Sequence, residues 1–387
     1  MIKGLPFVSV CTPTFNRRPF IPIMLECFKN QTYPKQNIEW IIADDGTDSV
    51  EDIIKSSGID QIRYFRLPNK MTLGKKRNFI HTRSKGDILV YMDDDDYYPP
   101  ERISHAVQTL LKHPEALCGG SSEIYTYFKN GNSNGGKMIR FGPYGPNHAT
   151  AATFAFRKEL LNQTQYNDIR AIGEEREFLK DYTIPFVQFD PLKTILVFSH
   201  NHNTFDKRKM LEKPDPRCVN ESSKTVDDFI RQPFEQPIKS FFLEEIDGLL
   251  KNYREGESTM KPDVLEQIKE IEERRFQQQN SFMMLSRPGE PPVPLSQEQV
   301  AQFIQQMQNT IQQQQQCISQ LQEGKIIFAE ESGETISLNH TEILNRLKEQ
   351  QIQLSEKDAI IQHLQKQLLH AKLQRGSKTE PEVKISI

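Results

Sequence analysis

Long apolar runs are missing from this 387-residue chain: none approaches the ~20 consecutive apolar residues that a membrane-spanning helix needs. The opening MIKGLPFVSVCTPTF has only a short apolar stretch broken by prolines, so it lacks a signal-peptide layout. A soluble, cytoplasmic protein is therefore expected. Cysteine is scarce and scattered: Cys11, Cys27, Cys118, Cys218 and Cys317 are odd in number and without CxxC spacing. That argues against a structural zinc site and fits reduced thiols. Charge of either sign is nearly balanced, at a net −3, too little to support wholesale binding to nucleic acid or an anionic membrane. Glycine is absent from CTPTFNRRPF, so no glycine-rich phosphate loop follows the first predicted strand. The single tryptophan, Trp40, falls within a predicted strand and is assigned to the core.

What is present is an alternating pattern over residues 1–115. PFVSVCTPT (6–14), IEWIIADDG (38–46), IRYFRL (62–67) and DILVYMD (87–93) read as strands. Between them lie helical stretches through Met24, Leu25 and Phe28, over 50–58 with Gly58 as its stop, and over 73–86 closed by Gly86. A further helix over 100–114 starts with a proline suited to a first turn. Repeated β-α-β units predict an α/β fold with a doubly wound, mostly parallel sheet. From 116 to 205 shorter strands predominate, and a mixed extension of that sheet is expected. Residues 206–285 read as a helical extension and 286–296 as a proline-rich linker. Residues 297–375 carry Gln-rich heptads around a short hairpin (326–338). Ile304, Ile311 and Ile318 repeat by seven, as do Leu347, Leu354, Ile361 and Leu368. A coiled coil joining copies into a homo-oligomer is expected there, with a disordered tail over 376–387.

YMDDDDYYPP (91–100) places four carboxylates directly behind an apolar strand. Such a run is costly to enclose without a compensating charge. In a doubly wound sheet ligands gather at the carboxyl ends of strands, near the point where strand order reverses. Asp44 and Asp45 end the second strand at the same edge, and the loop after the first strand brings Thr14, Asn16 and Arg17. Hard oxygen ligands at this density suit Mg²⁺ or Mn²⁺ with phosphate oxygens completing the shell. Lys75, Lys76 and Arg77, in the first turn of the third helix, can meet those phosphates.

Over about residues 6–202 the chain resembles the family 2, GT-A fold glycosyltransferases. The likeness rests on VSVCTPTFNR, IIADDGT, LGKKRNFIHTRSKGDILVYMDDDDYYPPERI and GEEREFL, the third being the specific one. The resemblance implies that Asp45, with Asp44 beside it, contacts the base and ribose of a nucleotide sugar. Thr14, Asn16, Arg17, Lys76, Arg77, Asp93 and Asp94 complete the donor site. Asp93 and Asp95 would hold the metal, Asp95 most directly, with His202 as a further ligand. Where the family carries Glu-Asp, this chain has Glu174-Glu175. Glu175 is then the expected general base, with Glu174 in reserve. The implied activity is inverting transfer from a UDP-sugar, in preference to GDP-linked, onto a glycan, glycoprotein or lipid-linked acceptor, with FGPYGPNHATAA (141–152) as the acceptor loop. The Gln-x-x-Arg-Trp motif and membrane helices of processive synthases are absent. Two rival readings are a catalytically degenerate domain serving as a coiled-coil scaffold, and a nucleotidyltransferase, which the missing glycine loop disfavours.

Overall fold

The computed structural model describes residues 4–129, 135–203, 207–212, 214–279, 283–286, 293–295, 297–322, 328–329, 335–336, 345, 348–349, 351–362 and 384–386. The chain forms two compact units, residues 1–268 and 269–387.

In the first unit, β1 (Val8–Thr14), β2 (Ile38–Asp44), β3 (Ile62–Arg66) and β4 (Ile88–Tyr91) alternate with α1 (Ile21–Lys29), α2 (Glu51–Ser56) and α3 (Leu73–Arg83). α4 (Arg102–Lys112) follows. β1, β2 and β4 are covered on both faces, as parallel strands must be, and pair in parallel with β3 at the edge. Glu39, buried in β2, is satisfied by Ser9 Oγ (2.6 Å) and by Arg63 (2.5 Å). α4 turns Ile103, Ala106, Val107 and Leu110 inward at helical spacing. The expected stop of α3 at Gly86 is corrected. The helix ends at Arg83, and Gly86 instead lets the chain pass β1, since a Cβ there would lie 2.4 Å from Ser9 N.

β5 (Cys118–Gly120), β6 (Ile124–Lys129), β7 (Gly136–Phe141), β8 (Ala155–Arg157), β9 (Phe186–Gln188), β10 (Val197–Phe198) and β11 (Val219–Glu221) complete the strands of this unit. The main sheet runs β3-β2-β1-β4-β8-β5-β9, with β8 antiparallel to β4 and β5. β5, β8 and β9 thus extend the parallel sheet as expected. β6, β7 and β10 do not: they join β11 in a second sheet, β10-β6-β7-β11. The reason is the long β6–β7 hairpin, paired from Ile124↔Phe141 to Lys129↔Gly136, with Phe128, Ile139, Phe141 and Val219 forming their own apolar cluster. The chain steps outward from β1 to β2 and β3, then returns to β4 on the other side of β1. The crevice where strand order reverses therefore opens at the C-terminal ends of β1 and β4.

Short helices α5 (Glu175–Phe178), α6 (Lys209–Glu212), α7 (Gln236–Ser240) and α8 (Ile246–Leu250) precede α9 (Pro262–Gln279), which runs across the boundary between the units. In the second unit, β12 (Met283–Ser286) pairs with β13 (Val293–Leu295) and β16 (Lys384–Ser386), and β14 (Phe328–Ala329) with β15 (Thr335–Ile336). Ser332 and Gly333, at the expected hairpin tip, and most of the 376–387 tail lie outside the described residues. α10 (Gln297–Gln322) and residues 351–362 are helical. Val300, Ile304, Ile311, Leu354 and Ile361 are buried within the single chain, and Lys357 Nζ donates to Gln314 Oε1 at 3.0 Å. Among the described residues no helix is long and apolar enough to cross a membrane.

Candidate functional site

The inward face of α3 is where an apolar stripe belongs, yet it buries Gly74, Lys76, Arg77 and His81 beside Ile80. Buried cations persist only with partners, and each has one. Lys76 Nζ pairs with Asp45 Oδ1 and donates to Thr14 O at 2.9 Å. Arg77 Nη1 pairs with Glu174 Oε1, and its guanidinium lies over the rings of Tyr91 and Tyr166, at 4.9 and 5.1 Å. Thr72 caps α3, accepting from Lys75 N at 3.4 Å. Gly74 is required by packing: a Cβ would stand 2.2 Å from Asn167 O.

Asp44 and Asp45 reach the rim as expected, but both are tied inward. Asp44 Oδ1 accepts from Gly46 N (2.8 Å), and Oδ2 from Val50 N (3.1 Å) and Tyr64 Oη (2.6 Å). Asp45 Oδ2 accepts from Met71 N at 2.6 Å while Oδ1 holds Lys76. Asn16 sits in the left-handed region (φ 52°), where its Oδ1 accepts from Asp48 N at 3.0 Å.

The acids after β4 are differently placed. Arg17 Nη2 reaches Asp95 Oδ2 at 2.9 Å and its Nε lies 3.6 Å from Asp94 Oδ1. Asp93 N donates to Tyr98 Oη at 2.8 Å, but its buried Oδ1 has no hydrogen-bond partner among the described residues, and neither has Arg17 Nη1. Burial pushes Asp93 up to about 6, Arg77 opposing and Asp95 adding to the rise. Burial and the adjacent Asp95 raise Asp94, and Asp96 is raised for the same two reasons. Asp95 goes the other way: against the effect of burial, Arg17 and His200 hold it below the usual carboxylate range. Of the four acids, Asp94 and Asp95 meet Arg17, and Asp95 carries the charge most readily.

A cavity of about 130 Å³ opens here, lined from the expected set by Thr14, Arg17, Lys76, Arg77, Asp93, Asp94 and Asp95. Asn16, Asp44, Asp45, Glu174, Glu175 and His202 do not line it. Residues that the sequence reading missed do: Phe15, Lys70 and Met71 from flanking loops, and Lys261, Asp263 and Val264 from the start of α9. Burial, then the charge of Arg17, pushes Lys261 down to about 7. Proximity to the motifs would have found the first three; no period or spacing points to the last three. Of the histidines, His200 Nε2 reaches Asp95 Oδ2, at 3.5 Å. His202 packs on Tyr253 (6.1 Å between ring centroids), and its buried Nδ1 has no hydrogen-bond partner among the described residues. β10 stops at Phe198, so strand alternation has ended before either histidine.

Glu174 is buried against Arg77, and burial raises it. Glu175, half-buried at the start of α5, accepts from Ala151 N at 3.2 Å. Lys180, Asp181 and Tyr182 all have positive φ (48°, 55° and 63°), a costly run that turns Tyr182 back toward His148. Its ring meets His148 (5.2 Å), which meets Tyr144 (4.9 Å). Tyr144 is 43% exposed, so the tier faces solvent.

Comparison with known proteins finds relatives over part of the chain. An uncharacterized glycosyltransferase of Haemophilus influenzae is 29% identical over 127 residues, covering 31% of this chain and 42% of that protein. Glycosyltransferase AglE of Haloferax volcanii is 29% identical over 136 residues, covering 34% and 44%. The chain thus spans less than half the length of either relative. The crystal structure of Staphylococcus aureus TarS in complex with UDP-GlcNAc superposes with a TM-score of 0.39 at 21% identity, covering 50% of this chain and 58% of that one. Residues 9–169, which contain Arg17, Lys76, Arg77 and Asp93 to Asp95 of the cavity, match the model for glycosyl transferase family 2.

Proposed function

We propose that this protein moves a sugar from a nucleoside-diphosphate sugar to an acceptor hydroxyl, with inversion at the anomeric carbon. The observation that carries the reading is the convergence of Arg17, Lys76 and Arg77 with Asp93, Asp94 and Asp95 in one cavity, at the point where strand order reverses. A UDP-sugar is the favoured donor over a GDP-sugar.

Among the described residues no three ligating side chains form a ready-made metal cage. That suits Mg²⁺ or Mn²⁺ held by one or two carboxylates and by the phosphates of the donor itself. The orphaned Oδ1 of Asp93 and the ionised Asp95 fit the role. His200, already at Asp95, is better placed than His202 to assist. A divalent cation bound there would supply positive charge against the charge that builds on the leaving nucleoside diphosphate.

The chain's own residues do the rest. Arg17 and Lys76 face the diphosphate, and Arg77, anchored by Glu174, fixes the wall between donor and acceptor. Glu175 takes the proton of the acceptor hydroxyl as its oxygen bonds to the anomeric carbon. The bond from that carbon to the diphosphate oxygen breaks, and its electron pair leaves with the diphosphate. Tyr144, His148 and Tyr182 offer a ring surface for a glycan, or for the sugar of a glycoprotein or lipid-linked acceptor. Self-association through residues 297–375 is a separate proposal, read by sedimentation of the full chain.

The test is release of nucleoside diphosphate from UDP-glucose, UDP-GlcNAc, UDP-galactose and GDP-mannose, with Mn²⁺ and acceptor glycans. Wild type should turn over at least one UDP-sugar, and Glu175→Gln should lose about 10²- to 10⁴-fold while still binding nucleotide. No release from any donor would sink the proposal.

A further inference from the structure

Residues 253–267 lie beyond the family match, yet they fasten to both flanks of the cavity. On one flank, Tyr253 Oη donates to Asp48 Oδ2 at 2.9 Å and Asn16 Nδ2 donates to Glu255 O at 2.7 Å. Gly256 fits tightly there, since a Cβ would stand 2.9 Å from Asn16 O and 2.7 Å from His202 Nδ1. On the other flank, Asp263 pairs with Lys70, Gln267 Oε1 accepts from Ala171 N at 2.9 Å, and Gln267 Nε2 donates to Ile169 O at 2.7 Å. Between these fastenings Lys261 is 8% exposed and lines the cavity with Asp94 and Asp95.

The cavity under this strap, about 130 Å³, is well below the ~300–1,000 Å³ usual for pockets that enclose small molecules. A shift of the strap would enlarge the space open to a nucleotide sugar. The acids need a cation, and Arg17 supplies only part of it. Lys261 brings a second positive charge to the same carboxylates.

Resting on the donor-site reading above, we propose that Lys261 is a built-in counter-cation of Asp94 and Asp95, which a divalent ion must displace to open the strap over residues 253–267. Lys261 and a divalent ion compete for the same carboxylates, so the strap closes the cavity when metal is absent and is released when metal binds. Once released, Lys261 is free to turn to the phosphates of the donor.

The test uses the full chain and Mn²⁺ alone, followed by the paramagnetic resonance signal of the free ion at pH 6.5. Lys261→Met should bind Mn²⁺ roughly 5- to 20-fold more tightly than wild type, because a competing charge has gone. In wild type, Mn²⁺ should speed hydrogen exchange in residues 253–267. Equal or weaker Mn²⁺ binding by Lys261→Met would overturn the proposal, as would unchanged exchange in the strap. If that variant does not fold, Asp263→Asn, which unfastens the strap from Lys70, carries the same expectation and the same refutation. Asp95→Asn separates the two readings: if it leaves Mn²⁺ binding intact, the metal site itself is misassigned, whatever Lys261 does.

Discussion

The two acidic ends of the central strands, Asp44-Asp45 after β2 and Asp93 to Asp96 after β4, differ in how their charge is met. Asp44 accepts two backbone amides and a phenol, and Asp45 a backbone amide and a buried lysine. Every oxygen of that pair has a partner, so the pair shapes the rim. In the second cluster Arg17 meets only Asp94 and Asp95, and Asp93 Oδ1 has no hydrogen-bond partner among the described residues. Fully satisfied acids hold the loops in place, and the under-compensated ones are where we propose that a ligand binds.

That contrast breaks if removing charge has the same effect at both ends. Asp45→Asn should be the most damaging to stability, by about 3–5 kcal/mol, because Lys76 is left buried without its counter-ion. Chemical denaturation measures it, and a loss under about 1 kcal/mol would refute the assignment. Asp44→Asn should cost about 2 kcal/mol by weakening the amide and phenol contacts that hold the turn into α2. At the other end the sign reverses. Asp93→Asn should raise stability by about 1 kcal/mol at pH 7.5, since it removes a carboxylate that burial and Asp95 disfavour. An acid whose folded pKa is raised is penalised above that value, and the penalty fades as the pH falls toward its unfolded value. With Asp93 pushed up to about 6 from the ordinary 3.8, the advantage of Asp93→Asn should shrink between pH 6 and 4. Melting curves across that range decide it; a destabilised variant at pH 7.5 would place Asp93 with the satisfied acids.

Much of this was legible in the chain. β1, β2 and β4 read as buried parallel strands because their apolar runs do not alternate, and α3 stood out because Lys75, Lys76 and Arg77 crowd its first turn. The rim acids were legible as a pair of strand ends. What escaped was set by contacts remote in sequence. Arg77 finds Glu174 97 positions away, and no local pattern announces that partner. The short β6, β7 and β10 joined β11 because hairpin pairing outweighed extension of the first sheet. Lys261 and Asp263 line the cavity from a segment that reads only as part of the helical extension over 206–285. The heptads of 297–375 were legible as apolar seams, but periodicity does not say whether the covering helix is another copy or, as at Ile304, Ile311, Leu354 and Ile361, lies within the same chain.

The account turns on whether the under-compensated acids bind a metal together with a nucleotide. Titration calorimetry of UDP into wild type and Asp95→Asn, with and without Mn²⁺, tests this most directly. Binding of UDP that requires Mn²⁺ and weakens at least about 100-fold in Asp95→Asn is the predicted result. Binding that is indifferent to both the metal and Asp95, or no binding of UDP or GDP under any condition, would contradict it.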